Sequence, residues 1–202
     1  MKKQHVLTTC WATAALALPP AVMGGGCAPT PATQAPGTVP AEMVIFPFSG
    51  EMPIGGWQVE DDAVMGGVSE GAFLLNEKGH VVFSGTVSLE NNGGFSSVQY
   101  DFKPIDVSAY GKAVLRIKGD GKQYQFRIES GANDRHAYVY PFETTGKWQT
   151  VEIPFNKMYP QWRGNRLDLP NFRGDVVRHV RFLIANGRAE SFRLEVESVT
   201  LR

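Results

Sequence analysis

Alternation of apolar and polar residues is the feature that most constrains how this chain can fold. In Gln123–Ser130, every second residue from Tyr124 to Ile128 is aromatic or aliphatic, and the residues between them are polar or charged. A second extended segment, Lys112–Lys118, precedes it, and Gly119–Gly121 joins the two with the Asp-Gly sequence typical of β-hairpins. This pattern predicts antiparallel strands that place one face on a core and the other in water.

Similar segments recur over residues 43–202, and none has the period of a long amphipathic helix. We expect Trp57–Ser69 to be mostly loop, and Asn156–Gly174 to be an ordered loop with one helical turn. Because 22 glycines and 13 prolines favour turns, we predict an all-β fold, an antiparallel two-sheet β-sandwich or jelly roll. Its strands are predicted at Met43–Phe46, Ala72–Leu75, His80–Leu89, Phe95–Phe102, Lys112–Lys118, Gln123–Ser130, His136–Phe142, Trp148–Phe155, Val176–Ala185 and Phe192–Leu201.

Residues 1–26 have the composition of a secretory signal peptide. A basic start is followed by the short apolar stretch Val6–Leu18, and glycines precede Cys27. We predict cleavage before Cys27 and acylation of this residue, as in bacterial lipoproteins, with ordinary secretion and a free Cys27 as the alternative. Cleavage also removes Cys10, so the mature chain is expected to have no intrachain disulfide.

Residues 27–42 are expected to be a linker, because proline, threonine and alanine cannot bury enough surface to order them. Ala28, rather than an aspartate, follows Cys27. We therefore expect an outer-membrane lipoprotein of the bacterial cell envelope that faces the periplasm and contacts the membrane only through its lipid anchor. The 20 basic and 20 acidic residues balance, which gives no indication of a nucleic-acid partner.

Four stretches carry residue types whose chemistry exceeds what strands need: Trp57–Ser69, Asn91–Ser97, Gly119–Gly121 and Trp162–Gly164. Paired glycines allow positive φ or close approach to the main chain, and acids and serines can tie loops by hydrogen bonds. We predict that Asp61 or Asp62 lies near Arg163 with both glycine pairs beside them, either as a buried structural staple or as a binding site. The residues of this predicted cluster are Trp57, Asp61, Asp62, Gly66, Gly67, Ser69, Asn91, Gly93, Gly94, Ser96, Arg163 and Gly164.

Catalysis is not expected. Gly67–Gly71 matches the G-x-S-x-G pattern of hydrolases, but a strand-like run follows Ser69 where the nucleophile motif requires a helix. The histidines after the signal peptide are isolated, and no Cys-His set has metal-ligand spacing. Asp61 and Asp62 point in different directions on an extended chain, and one pair supplies too few oxygens for calcium. We therefore predict no catalytic residue, no metal site and no cofactor.

An ordered series of motifs resembles that of one known family. The chain resembles the complex I intermediate-associated protein 30 family in Trp57–Ser69, Phe83–Ser97, Gly119–Gly121, Tyr124, Trp148–Phe155, Trp162–Gly164, Arg181–Ala185 and Phe192–Leu194. The resemblance implies a galactose-binding-like jelly roll, related in shape to carbohydrate-binding modules. It also implies a chaperone-like role, since mitochondrial members of the family help to assemble respiratory complex I.

We therefore expect a non-catalytic binding module of the envelope, with two hypotheses for its partner. The first is a chaperone-like or assembly-assisting role toward another envelope protein. The alternative is a carbohydrate-binding module that acts on glycan or peptidoglycan. Trp148 and Trp162 are candidates for an aromatic platform. An outward platform would favour sugar, whereas a flat apolar patch without a cleft would favour a protein partner.

Overall fold

Thirteen β-strands make up most of the chain that the structure, a computed structural model, describes. The described residues are 41–47, 55–131 and 134–202, so the predicted signal peptide, Cys27 and nearly all of the linker lie outside them. The strands are β1 (Met43–Pro47), β2 (Trp57–Asp61), β3 (Glu70–Leu75), β4 (Val81–Val87), β5 (Ser96–Asp106), β6 (Lys112–Lys118), β7 (Gln123–Glu129), β8 (Ala137–Glu143), β9 (Trp148–Pro154), β10 (Tyr159–Trp162), β11 (Asn165–Arg166), β12 (Val176–Ile184) and β13 (Glu190–Leu201).

Helix is limited to three short 3₁₀ segments within the described ranges: Asp62–Met65, Glu90–Asn92 and Phe155–Lys157. In the part of the chain that the structure describes, no helix has the length and apolar character needed to cross a membrane.

The strands form two antiparallel sheets. The front sheet contains seven strands in the order β11-β10-β8-β7-β12-β5-β2. The back sheet contains six, in the order β3-β4-β13-β6-β9, and β1 pairs with the end of β13. All of these pairings are antiparallel. The predicted all-β, two-sheet sandwich is therefore confirmed.

The alternation in the sequence becomes the division between core and surface. On β7 of the front sheet, the side chains of Tyr124, Phe126 and Ile128 are buried. They belong to the same apolar cluster as Phe83 and Leu115 of the back sheet. Burial of each such side chain contributes about 1.5–3 kcal/mol. This cluster holds the two sheets together. The outward-facing side chains of the front sheet do not belong to it and can make other contacts.

Three strands lie where the sequence predicted loop. β2 falls within Trp57–Ser69, and β10 and β11 fall within Asn156–Gly174. β10 and β11 have four and two residues, which is too short to show a period. β2 shows no clean alternation of buried and exposed residues. These strands form the two edges of the front sheet, so the sequence predicted its centre and missed its borders.

Candidate functional site

Asp62 is a buried carboxylate that ties two loops together. It lies directly after β2, and its side chain is fully buried. The N–H and the hydroxyl group of Ser69 donate to its two oxygens at 2.9 and 2.5 Å. From the second loop, the N–H groups of Gly94 and Phe95 donate to Oδ2 at 2.6 and 3.2 Å. The carboxylate thus has donors from both loops and needs no cation beside it.

These donors favour the charged form of Asp62. Burial raises the pKa of the carboxyl group, but the hydrogen bonds from Ser69, Gly94 and Phe95 together outweigh burial, so the pKa lies below its ordinary value. Asp62 is therefore ionised in the folded protein at neutral pH, and its negative charge is part of what holds the two loops in place.

In each of the two glycine pairs around Asp62, the two glycines have different structural roles. Gly66 and Gly94 have φ angles of 91° and 141°, which residues with a Cβ rarely adopt. Gly67 and Gly93 lack a positive φ, but a Cβ at either position would overlap the carboxylate of Asp62. In each pair, one glycine turns the chain and its neighbour makes room for the acid. The structure thus places both predicted glycine pairs beside Asp62.

Asp61 accepts a separate set of hydrogen bonds. Its Oδ2 accepts the N–H of Gly71 at 2.9 Å, and its Oδ1 accepts the hydroxyl group of Ser96 at 2.5 Å. Asp61 therefore joins β3 to β5, while Asp62 joins the loops. Ser69, the serine of the G-x-S-x-G pattern, is buried, and its oxygen also accepts the N–H of Ser88 at 2.9 Å. Its role is structural.

The contacts of Arg163 differ from those of the two acids. Among the described residues, neither Asp61 nor Asp62 forms an ion pair with it. Arg163 is exposed, and its Cζ lies 5.1 Å from the ring centroid of Trp162. Main-chain N–H groups and serine hydroxyl groups satisfy both carboxylates instead. Arg163 lines the same cleft as Gly94, so its proximity to Asp62 stays a prediction. Asn91 and Gly164 take positive φ angles of 55° and 79° in the turns.

An open cleft of about 730 Å³ lies on the outward face of the front sheet. Gly94 and Phe95, whose N–H groups bind Asp62, form part of its wall. The buried acid therefore positions one side of the cleft. The lining residues are Glu60, Arg127, Glu129, Ala137, Gln161, Trp162, Arg181 and Leu183 on strands, and Val64, Met65, Asn92, Gly93, Gly94, Phe95, Arg135, Arg163, Gly164 and Ala185 in loops.

Two arginines face each other in this cleft. The register of β7 and β12 places Arg127 directly across from Arg181. Nη2 of Arg127 donates to Oε1 of Gln161 at 2.8 Å. Nη2 of Arg181 donates to the side chain of Gln99 and, at 3.3 Å, to Glu60. Burial and the neighbouring charge of Arg181 lower the pKa of Arg127 to about 10, so it remains positive at neutral pH.

The tryptophans proposed from the sequence have different surroundings. Trp57 packs at the edge of the core, with its ring centroid 4.9 Å from that of Phe73. Trp148 lies on the back sheet, and its ring centroid is 5.6 Å from the guanidinium carbon of Arg116. Trp162 lines the cleft of the front sheet and is 42% exposed. The two candidate platform residues therefore lie on different sheets, and only Trp162 belongs to the cleft.

The cleft residues Glu60, Arg127, Gln161 and Arg181 were not predicted as site residues. Alternation placed Arg127 on the outward face of its strand, but the sequence does not show that Arg181 lies opposite. Within the described ranges, no group of three or more His, Cys, Asp or Glu side chains is placed to hold a metal ion.

The fold belongs to one class, the galactose-binding-like β-sandwiches. The family 11 carbohydrate-binding module from Clostridium thermocellum, solved with a β-1,3-1,4-mixed-linked tetrasaccharide, matches with a TM-score of 0.62 and 20% identity over 79% of this chain and 94% of that chain. The family 11 module of a cellulosomal cellulase from the same organism matches with a TM-score of 0.61 and 20% identity over 79% and 93%. An agarase matches with a TM-score of 0.54 and 11% identity, over 79% of this chain and 24% of its own. These likenesses show the fold.

The sequence model of one family, complex I intermediate-associated protein 30, matches residues 46–196. The chain belongs to this family, as its motifs indicated. A search of the curated proteins found no match to the chain. Neither the family match nor the carbohydrate-binding modules indicate a catalytic family.

Proposed function

We propose that this protein is a non-catalytic carbohydrate-binding module of the bacterial envelope, which holds a glycan in the cleft of the front sheet. One observation carries the proposal: the cleft combines the exposed ring of Trp162 with planar polar side chains on neighbouring strands. Its volume of about 730 Å³ suits a short oligosaccharide. The envelope location rests on the predicted signal peptide.

The side chains of the cleft match the chemistry of a sugar ring. A sugar has an apolar face, which stacks on the flat ring of an aromatic residue such as Trp162. Its hydroxyl groups need donors and acceptors at fixed positions. Arg127 and Gln161 are already hydrogen-bonded to each other, at 2.8 Å, so less rotational freedom is lost when a ligand binds them. The fold likeness to a module solved with a bound tetrasaccharide supports the same ligand class.

A protein partner is the second candidate. Val64 and Met65 line the cleft and are 70% and 62% exposed, which leaves apolar side chains at its border. Such side chains favour contact with an apolar surface of another protein, and the name of the family refers to association with a complex I intermediate. This role predicts that polar substitutions of Val64 and Met65 abolish binding of an envelope protein and leave glycan affinity intact.

The test of the proposed function is glycan affinity, measured by isothermal titration calorimetry on the purified mature chain. The panel contains mixed-linked β-glucan, agarose oligosaccharides, peptidoglycan fragments and acidic oligosaccharides. Trp162→Ala should weaken binding about two- to tenfold, since an aromatic stacking contact contributes about 0.5–1.5 kcal/mol. Trp148→Ala, the matched change on the back sheet, should leave affinity unchanged. No binding to any glycan, or an equal loss in both variants, would contradict the proposal.

A further inference from the structure

The cleft holds more positive charge than its own acids balance. Four arginines line it, but only two acidic residues do, Glu60 and Glu129. Within the described residues, these six side chains form one ion pair, between Arg181 and Glu60 at 3.3 Å. No lysine or histidine lines the cleft, and no other acid does. A ligand of this cleft therefore meets a site with excess positive charge.

The arginine pair is the centre of this excess charge. Arg127 and Arg181 lie directly opposite each other on β7 and β12, and like charges in such a position destabilise a sheet. Arg127 donates only to the neutral amide oxygens of Gln125 and Gln161, at 2.6 and 2.8 Å. In the part of the chain that the structure describes, it has no carboxylate at ion-pair distance.

One donor of the pair has no partner within the described residues. Nε of Arg181 is buried without a hydrogen bond, although Nη2 of the same guanidinium contacts Glu60 and Gln99. A buried donor of a charged group without an acceptor is costly, as is a half-buried charge without a counter-ion. An anion that enters the cleft and contacts the two guanidinium groups supplies the missing counter-ion.

The planar fork of a guanidinium group fits a carboxylate, which it binds through two parallel hydrogen bonds. We infer that the glycan bound in this cleft carries carboxylate groups, as uronic acids do, and that Arg127 and Arg181 bind one carboxylate between them. This inference rests on the proposed function and narrows its ligand to acidic saccharides. Trp162 contacts the sugar ring, and the arginine pair selects for its acid group.

The first test compares acidic oligosaccharides with uncharged counterparts. Oligogalacturonides are paired with their methyl esters, and glucuronoxylan fragments with unsubstituted xylan fragments. The mature chain should bind at least one acid about tenfold more tightly than its neutral counterpart. That affinity should fall several-fold as NaCl rises from about 50 to about 500 mM, because salt screens ionic contacts. A sulfated galactan fragment is the third arm, and equal or tighter binding of this fragment overturns the assignment to carboxylate.

The second test removes the arginines one at a time. Arg127→Gln and Arg181→Gln should each weaken binding of the acid about tenfold and weaken binding of neutral glycans by a smaller factor, so that the preference for the acid over its ester falls. Arg127→Gln should also leave the melting temperature unchanged or raise it, because it removes one of two facing charges. Arg116→Gln, the same charge change on the back sheet, should alter neither affinity. A lowered melting temperature with unchanged discrimination between acid and ester means that the pair is structural, and overturns the inference.

The remaining outcomes separate this inference from the function on which it rests. Equal affinity for acids and neutral counterparts, or binding of neutral glycans only, overturns the acidic ligand and leaves the carbohydrate-binding function in place. Absence of binding to every acidic and neutral glycan of the panel overturns both.

Discussion

The N–H and the hydroxyl group of Ser69 both donate hydrogen bonds to the carboxylate of Asp62, at 2.9 and 2.5 Å. The N–H of Gly94 reaches the same carboxylate from the other loop, at 2.6 Å, and Gly94 also lines the cleft. A buried acid held by main-chain N–H groups and a serine hydroxyl group therefore fixes one wall of the cleft. The staple around Asp62 and the candidate binding cleft lie next to each other.

Replacement of Asp62 by asparagine should strongly destabilise the protein. All the groups that contact this carboxylate are donors. The amide nitrogen that the substitution introduces would therefore face an N–H group or the Ser69 hydroxyl. The loss of charge-assisted hydrogen bonds and the orphaned donor together should lower the free energy of unfolding by about 2–4 kcal/mol. Urea denaturation of the mature chain measures this change.

Asp61→Asn is the matched control for this substitution. Asp61 accepts one N–H, from Gly71, and one hydroxyl group, from Ser96. An asparagine can keep the bond from Gly71 with its oxygen and donate to the serine oxygen with its nitrogen, because a hydroxyl group can reverse its role. The cost should stay below about 1 kcal/mol. Equal losses for the two neighbouring acids would show that the staple is not specific to Asp62.

Gly67→Ala should be destabilising through a clash. Gly67 has no positive φ, but its new Cβ would overlap the Asp62 carboxylate, which its hydrogen bonds hold in place. Overpacking of this kind costs about 1–3 kcal/mol, which corresponds to roughly 2–12 °C in melting temperature for a chain of this size. Gly111→Ala is the control, because Gly111 has no positive φ and no atom within 4 Å of the added Cβ. A melting temperature equally lowered in both variants would contradict the role of Gly67.

Acid should reduce the contribution of Asp62 to the stability of the folded protein. Since the pKa of Asp62 is lowered in the folded state, its contribution to stability is full above about pH 4 and is lost as the pH falls through the folded pKa. Hydrogen bonds from Ser108 lower the pKa of Asp106, and the hydrogen bond and charge of Lys112 lower that of Glu152, so both acids also contribute to acid sensitivity.

The informative quantity is therefore the difference in melting temperature between the wild-type protein and Asp62→Asn. This difference should narrow from about pH 6 to about pH 3. Protonation removes the negative charge of Asp62 from the wild-type protein, and the variant already lacks that charge. A difference that stays constant over this range would mean that Asp62 does not titrate as the staple requires.

The sequence predicted those parts of the fold that local pattern encodes. The predicted strand Lys112–Lys118 has the observed bounds of β6, and strict alternation gave β7. The hairpin predicted at Gly119–Gly121 was wrong, because β6 pairs within the back sheet and β7 within the front sheet, so this turn crosses from one sheet to the other. The glycine pairs beside Asp62 were also predictable, because adjacent glycines next to acids have few other uses. The partner of the acid was not, since main-chain N–H donors have no signature in side-chain identity.

The cleft depended on pairings between distant strands. Arg127 faces Arg181 only because β7 pairs with β12 in one register, and alternation within either strand does not encode that register. The borders of the front sheet were missed for a related reason: β10 and β11 are short edge strands whose extended form depends on the neighbour they pair with.

The position of a bound glycan tests the central claim most directly. Proton–nitrogen correlation spectra of the mature chain, titrated with an oligosaccharide that binds, report each N–H group separately. We predict that the indole N–H of Trp162 and the backbone N–H groups of Arg127, Gln161 and Arg181 shift together and saturate at one affinity, while those around Trp148 stay unchanged. Shifts confined to the back sheet around Trp148 would contradict a binding cleft on the front sheet.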